Sequence, residues 1–273
     1  MVVIPITPAE QRVLSSAGER AIEVRRLVWE SDFFRAPMAA LLIAPRSGPV
    51  ESRPASDALT AELRAALREA ELDGFKHVSV RVEADDIAAL WAAERAGLRL
   101  MDVAIDLKFT FEADPLPRLD EPRVRPASRA DIPAMRALTA GAFGLTRFAV
   151  DPFFSAEQVD AFYAAWSTNL FSGLADAVFI AEIDGRPAGF ASAKLTGDGQ
   201  GRIPLLATAR DHQRRGVGRG VLAAALHWFA EQRCSAAFVK TQAANYPAVA
   251  LYERAGFRVH QSELTFTTTL NQE

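Results

Sequence analysis

The stretch LLATARDHQRRGVGRG, Leu205–Gly220, decides how this chain reads. An apolar run and a short polar turn lead into Gln213-Arg214-Arg215-Gly216-Val217-Gly218, and helical spacing follows, with Val217, Leu222, Ala225 and Phe229 apolar. A strand, a glycine-spaced turn and a helix in that order make an anion cradle. Glycine lets the backbone approach a ligand closely and take up φ values that other residues resist. Amide N–H groups at a helix start converge on one point, and the helix dipole adds positive potential there. Arg214, Arg215 and Arg219 supply charge for further phosphates. The spacing is neither a dinucleotide fingerprint, which needs G-x-G-x-x-G directly after the strand, nor a Walker A loop, which needs Gly-Lys-Ser/Thr.

Outward from this stretch the chain alternates. Towards the C-terminus, Ala236–Thr241 reads as a strand, Tyr246–Arg254 as a helix and Phe257–Leu270 as the closing strand. Before it, strands are expected at Ala177–Ile183, Ala188–Leu195 and Arg202–Thr208, with Asp184-Gly185 as a turn. Helices are expected at Ile132–Phe143 and Ala156–Phe171, with Ser128 and Asp131 as cap candidates. In the first half, Ile22–Val28, Ala39–Ala44, His77–Val82 and Leu100–Phe111 read as strands, and Trp29–Phe34 as an aromatic loop. Pro45–Pro54 reads as a loop, Ser56–Leu72 as a helix capped by Ser56 or Asp57, and Ile87–Arg95 as a helix ending at Gly97. The proline-rich, charged segment from Glu112 has no apolar period. The expected organisation is an N-terminal domain 1–111, a linker 112–123 and a C-terminal domain 124–273. The fold class is α/β (α+β), a mixed twisted sheet with flanking helices.

The string Glu-Arg-Ala-Gly occurs twice, in AERAGLRL from Ala93 and in LYERAGFRV from Leu251. Each copy follows a strand, a polar turn and a short helix, and Asp86 aligns with Asn245. The halves look like two copies of one fold, the first with Ala93 where the second has Tyr252.

Among 273 residues, 49% are hydrophobic, enough for a core in each half, and the net charge of −3 argues against a general nucleic-acid binder. The single Cys234 cannot form an internal disulfide, and no Cys/His cluster has metal-ligand spacing. The N-terminal MVVIPITPAEQR lacks the basic and long apolar regions of a signal peptide, and no run approaches a membrane span. The expectation is a cytoplasmic protein without metal, nucleic-acid partner or membrane span.

Gln213–Gly218, together with Asn245, Tyr252, Gly256 and Phe257 in TQAANYPAVALYERAGF, resembles the GNAT superfamily of acyl-CoA-dependent N-acetyltransferases over residues 124–273. The resemblance implies acetyl-CoA as co-substrate. Amides of Gln213, Arg214, Arg215, Gly216, Val217 and Gly218 would hold its pyrophosphate at the helix that Arg219 and Gly220 open. Leu206, Ala207 and Thr208 would pair with the pantetheine arm like an added strand, and Asn245 would contact pantetheine or phosphates. Tyr252, a phenol of ordinary pKa near 10, would protonate the departing thiolate. The first half then resembles a degenerate GNAT half without coenzyme.

LVWESDFF, TRF, AFYAAW and RIPLLA resemble, within that family, the enzymes that acetylate the amine of TDP-linked amino-deoxy sugars. That implies a nucleotide-sugar acceptor, with Arg147 on a phosphate and Trp29, Phe34 or Phe148 stacked on base or sugar. Core packing is the alternative for each aromatic, and a solvated side chain for Arg147. RIPLLAT carries no carboxylate to act as base, so water, Glu182 or Asp211 is left for that role. Other amine acceptors (a protein N-terminus, a lysine, an aminoglycoside or a metabolite) and a non-catalytic acyl-CoA sensor remain as alternatives.

Overall fold

The computed structural model describes residues 11–14, 20–45, 53–119 and 123–270. The chain divides into two compact units that each borrow a strand from the other half of the sequence. One comprises Val3–Ala104, Val150–Phe154 and Gln261–Glu273; the other takes Ile105–Ala149 and Ser155–His260. The division therefore differs from the contiguous 1–111 and 124–273 expected. Two long strands, each assigned partly to one unit and partly to the other, are the reason.

The first unit contains β1 (Gln11–Leu14), β2 (Ile22–Arg26), α1 (Val28–Phe34), β3 (Met38–Ile43), α2 (Arg53–Leu72), β4 (His77–Glu83), α3 (Ile87–Arg95) and the start of β5 (Arg99–Thr110). Trp29–Phe34 is helix rather than loop. Ser31 and Phe34, three apart, are buried on one face. Ser31 Oγ accepts from the Met38 amide at 2.9 Å, and Arg35 ends the helix at φ 53°. Ser56 does not cap α2. It is buried inside the helix, and its hydroxyl donates to the Ala88 carbonyl at 3.2 Å. The segment 46–52 of the expected loop lies outside the described residues. Ile22, Leu41 and Val80 of the sheet pack with Leu63 of α2 and Ala92 of α3.

The second unit holds β6 (Arg123–Pro126), α4 (Ile132–Thr139), α5 (Arg147–Val150), α6 (Ala156–Asn169), β7 (Ala177–Ile183), β8 (Arg186–Leu195), β9 (Gly201–Ile203), β10 (Leu206–Thr208), α7 (Val217–Glu231), β11 (Ala236–Gln242), α8 (Tyr246–Arg254) and the start of β12 (Arg258–Thr269). Its strands run in the order β5-β11-β9-β8-β7-β6, with β10 paired to β8. From Glu263 onward β12 runs antiparallel to β4 and closes the first unit's sheet. Helix α4 stops four residues short of the expected Phe143. Ala140 leaves the helix at ψ 118°, and Gly141 takes φ 63° and donates its amide to Asp160. Leu222, Ala225 and Phe229 of α7 pack on Ile203, Ala237 and Val239. No described helix is long and apolar enough to cross a membrane.

The repeat seen in the sequence is a repeat of structure. β4, α3 and β5 have 7, 9 and 12 residues, and so do β11, α8 and β12. Asp86 accepts from the Ala89 amide at 3.1 Å and Asn245 from the Ala248 amide at 3.4 Å, the same N-cap bond. Gly97 and Gly256 end the two helices at φ 90° and 101°.

Arg125 on β6 fixes the second unit's edge. Its guanidinium holds Asp131 in a two-pronged pair at 2.7 and 2.9 Å and reaches Glu182 of β7 at 2.7 Å. Arg125 and, despite burial, the Ser128 amide pull the Asp131 carboxyl down to about 2. A carboxyl whose folded pKa lies below its unfolded value stabilises the fold above the unfolded value, about 3.9, and stops doing so as pH falls through the folded one. We expect the wild-type thermal midpoint to drop between about pH 4 and pH 2, and Asp131→Asn to start lower at pH 7 and lose less over that window. Thermal melts followed by circular dichroism check this, and equal pH slopes for the two proteins would contradict it.

Candidate active site

The expected strand Arg202–Thr208 is two strands. β9 bonds to β11 in parallel and to β8, whereas β10, beyond Pro204-Leu205, follows β8 alone. Proline has no N–H to continue a ladder. The next amide, Leu205, donates to Ser192 Oγ at 2.9 Å on β8, and the Ser192 amide donates back to the Leu205 carbonyl at 2.9 Å. The chain is thereby drawn towards β8 and away from β11. The split opens a cleft of about 910 Å³, bounded by β10, the start of α7, the loop after α4 and one face of α8.

Helix α7 begins at Gly216, whose φ of 83° turns the chain into the helix without any side-chain cap. The amides of the first helical turn have no i−4 carbonyl within the helix, so those of Val217 and Gly218 point towards the cleft at the helix start. Close packing brings them there. A Cβ on Gly189 would come within 2.5 Å of Val217 Cγ1, and one on Gly218 within 3.2 Å of Leu251 Cδ2. Arg210, Arg214, Arg219 and Arg254 line the cleft, and no carboxylate does. In a chain of net charge −3, a cleft with four arginines and no acid is suited to a polyanion.

Ten of the expected ligand contacts come together here: Leu206, Ala207, Thr208, Gln213, Arg214, Gly216, Val217, Gly218, Arg219 and Asn245. Arg215 and Gly220 do not line the cleft; Arg215 is exposed and Gly220 is buried within α7. Asn245 has a structural task as well, capping α8 through Oδ1 and donating from Nδ2 to Thr241 Oγ1 at 3.2 Å. Tyr252 is buried and also stays out of the lining. It stands on one helical stripe between Ala248 and Ala255, which do line the cleft, and its ring meets Phe257 at 5.8 Å. Burial pushes its phenol well above the ordinary value.

The expected acceptor residues lie elsewhere. Phe148 is core beneath the Arg147 guanidinium, 4.1 Å away, and packs on Phe162 at 4.8 Å. Phe34 is core of the first unit, 4.5 Å from Phe154, and Trp29 leans towards Phe33 at 6.3 Å. Arg210 and Arg254, which the sequence reading did not single out, are in the lining. Arg254 lies three residues beyond Leu251 on α8, a spacing that had carried the signal.

Residues 143–257 match the acetyltransferase (GNAT) family. This stretch is a GNAT acetyltransferase domain. The chain is accordingly an acyltransferase, of a family that uses acetyl-CoA, and the uncapped helix start and acid-free cleft fit a pyrophosphate. The chain is similar to the dTDP-fucosamine acetyltransferase of Escherichia coli O6:H1, 27% identical over 190 residues, covering 69% of this chain and 80% of that protein. A mycothiol acetyltransferase from Clavibacter sepedonicus is 42% identical over 77 residues, 28% of this chain and 25% of its own. The structure of a GCN5-related N-acetyltransferase from Sphaerobacter thermophilus superposes with a TM-score of 0.64 at 16% identity, covering 92% of this chain and 78% of that one.

Within the GNAT domain, Gly218→Val would fill the space between Thr208 and Leu251. We expect it to weaken acetyl-CoA binding at least tenfold, and Arg214→Ala to weaken it several-fold, while Arg215→Ala changes it little. Titration calorimetry with acetyl-CoA provides the comparison; equal losses for Arg214→Ala and Arg215→Ala would refute the assignment.

Proposed function

We propose that this chain transfers the acetyl group of acetyl-CoA to the amine of a nucleotide-linked amino-deoxy sugar. The carrying observation for the donor is the arginine-lined, carboxylate-free cleft at the uncapped start of α7. For the acceptor, the support is the reach of the similarity to the dTDP-fucosamine enzyme. It runs over 190 residues, whereas the family match at 143–257 spans 115 (257 − 143 + 1). The similarity to the mycothiol enzyme is confined to 77 residues.

In this reading the first-turn amides of α7, with Arg214 and Arg219, take the pyrophosphate. The edge of β10 that β11 leaves free pairs with the amides of the pantetheine arm, as an added strand would. The amine attacks the thioester carbonyl, both partners being held in one cleft. Tyr252 donates its proton to the leaving thiolate. Its burial keeps it a neutral phenol throughout the physiological range, the form a proton donor needs.

The first unit is, in the same reading, a GNAT half that has lost its coenzyme. A pocket of about 300 Å³ lies at Asp86 and Ala89, the counterparts of Asn245 and Ala248. In its lining Arg20 pairs with Asp86 at 2.7 Å and Arg81 with Glu263 at 3.5 Å, and Glu83 and Asp85 leave an excess of carboxylates that would disfavour phosphates.

Thiol release from acetyl-CoA in the presence of TDP-4-amino-4,6-dideoxy-D-galactose tests the proposal. Tyr252→Phe is expected to lower kcat by about a hundredfold with acetyl-CoA affinity unchanged. Release with a different amine alone would discard the sugar, and an undiminished kcat in the variant would discard the acid.

A further inference from the structure

The sequence TAGAFG, Thr139–Gly144, ends α4 and begins the loop that walls one side of the cleft. Ala140 leaves the helix at ψ 118°, and Gly141 turns the chain at φ 63°. Three contacts fasten this loop to other elements. The Gly141 amide donates to Asp160 Oδ1 of α6 at 2.8 Å. The Phe143 ring stacks on Tyr163 of the same helix, with centroids 4.1 Å apart and planes 15° from parallel. The Gly141 carbonyl accepts from Arg210 Nη2 at 3.1 Å.

The partners stand in different places. Asp160 and Tyr163 lie outside the lining of the cleft, whereas Arg210 is part of it. Arg210 opens the single turn Arg210–His212 between β10 and α7, and the Ala209 amide before it is pinned to the Ala188 carbonyl of β8 at 2.8 Å. Its guanidinium therefore reaches from the wall that carries the helix start to the wall that carries Gly141. The approach is close. A Cβ on residue 141 would stand 2.7 Å from Arg210 Nη2, so a larger residue there would push the guanidinium aside.

A neutral carbonyl is a weak hold on a guanidinium. A phosphate offers full charge and more than one oxygen, and charge-assisted hydrogen bonds are about twice as strong as neutral ones. The Arg210 bond is also exposed, so the guanidinium can turn without leaving a buried donor unpaired. A diphosphate at the start of α7 would draw Arg210 off Gly141. The contacts to Asp160 and Tyr163 would remain, which confines the change to the backbone around Gly141.

We propose that Arg210 is a positioning residue that ties the loop after α4 to the coenzyme site. Without coenzyme it holds the Gly141 carbonyl; when coenzyme binds it passes to the diphosphate and releases residues 140–142. This rests on the acetyl-CoA reading and deepens it. In that reading the coenzyme takes up β10, α7 and α8, and the loop after α4 is the wall left to face the acceptor. The diphosphate thus loosens the acceptor's wall as the donor arrives. The coupling is reciprocal, so an acceptor that favours the released loop also frees Arg210 for the coenzyme.

Hydrogen–deuterium exchange of the segment 140–146, read by mass spectrometry, tests this. The probes are coenzyme A, dephospho-coenzyme A, which keeps the diphosphate, and pantetheine, which lacks it, with binding followed in parallel by calorimetry. In the wild type both diphosphate ligands, at saturation, should speed exchange at residues 140–142 about fivefold, as the loss of one hydrogen bond would, and pantetheine should not. Arg210→Ala should exchange at the faster rate from the start and respond to none of the three. Arg210→Lys, which keeps the charge, should recover part of the response. A residue that merely braces the loop would give fast exchange in Arg210→Ala but no wild-type response to coenzyme A. Wild-type protein that binds coenzyme A and exchanges the loop no faster would therefore overturn the role of Arg210 and leave the coenzyme reading standing, a comparison that needs no variant. Protein that binds no coenzyme A would overturn the coenzyme reading, and the role of Arg210 with it.

Discussion

The missing N–H of Pro204 is the constraint on which the site depends. A continuous central strand would bond to β11 along its whole length and leave no room for a ligand. Because residue 204 cannot donate, the ladder with β11 stops at Ile203, and Ser192 Oγ captures the following amide. Both Leu205 backbone groups are satisfied by Ser192, so the break carries no unpaired buried amide. β10 then keeps β8 on one side and offers its other edge to the cleft. The strand that looked uniform in RIPLLAT is two strands with different partners.

Around that break, small residues set the distances. Gly189 lets Val217 and the Ala207 carbonyl close in on β8, which brings the start of α7 up to the end of β10. Gly216 turns the chain into α7 without a side chain that would occupy the first-turn amides. A serine or aspartate in its place would cap the helix and stabilise it, and would also compete with an anionic ligand for the same donors. Local helix stability is therefore given up where binding needs open donors. The arginines then act on a cradle whose direction the backbone has already fixed.

Much of this was legible in the sequence because it is local. Glycine spacing, helical periodicity and the doubled Glu-Arg-Ala-Gly need only nearest neighbours along the chain, and Ile87–Arg95, Ala177–Ile183 and Tyr246–Arg254 stand in the structure at the expected bounds. What was not legible depends on partners distant in sequence. Trp29–Phe34 becomes a helix because Ser31 is tied to Met38 and Phe34 finds Phe154. Phe148 carries no sign, in the string TRF, that Phe162 will bury it. Asp106 sits in VAIDLKF as an ordinary alternating polar residue, and only the strand order places it beside Arg202, 96 residues on.

The two copies of the strand–helix–strand element show how little separates a scaffold from a site. Lengths, N-cap bonds and terminal glycines agree between them. The differences are few and chemical. Where the second copy has an amide at the cap, Asn245, the first has a carboxylate, Asp86. Asparagine can cap a helix beside an anionic ligand, but aspartate there needs a cation, and Arg20 supplies it from within the protein. That pair lies in the lining of the first unit's pocket, where Arg81 also meets Glu263 and the carboxylates of Glu83 and Asp85 leave an excess of negative charge. At the position of Tyr252 the first copy has the fully buried Ala93, which fills the core without a polar group to desolvate. The same strand–helix–strand backbone thus carries a carboxylate tied to Arg20 in one half and an amide on the wall of the arginine-lined cleft in the other.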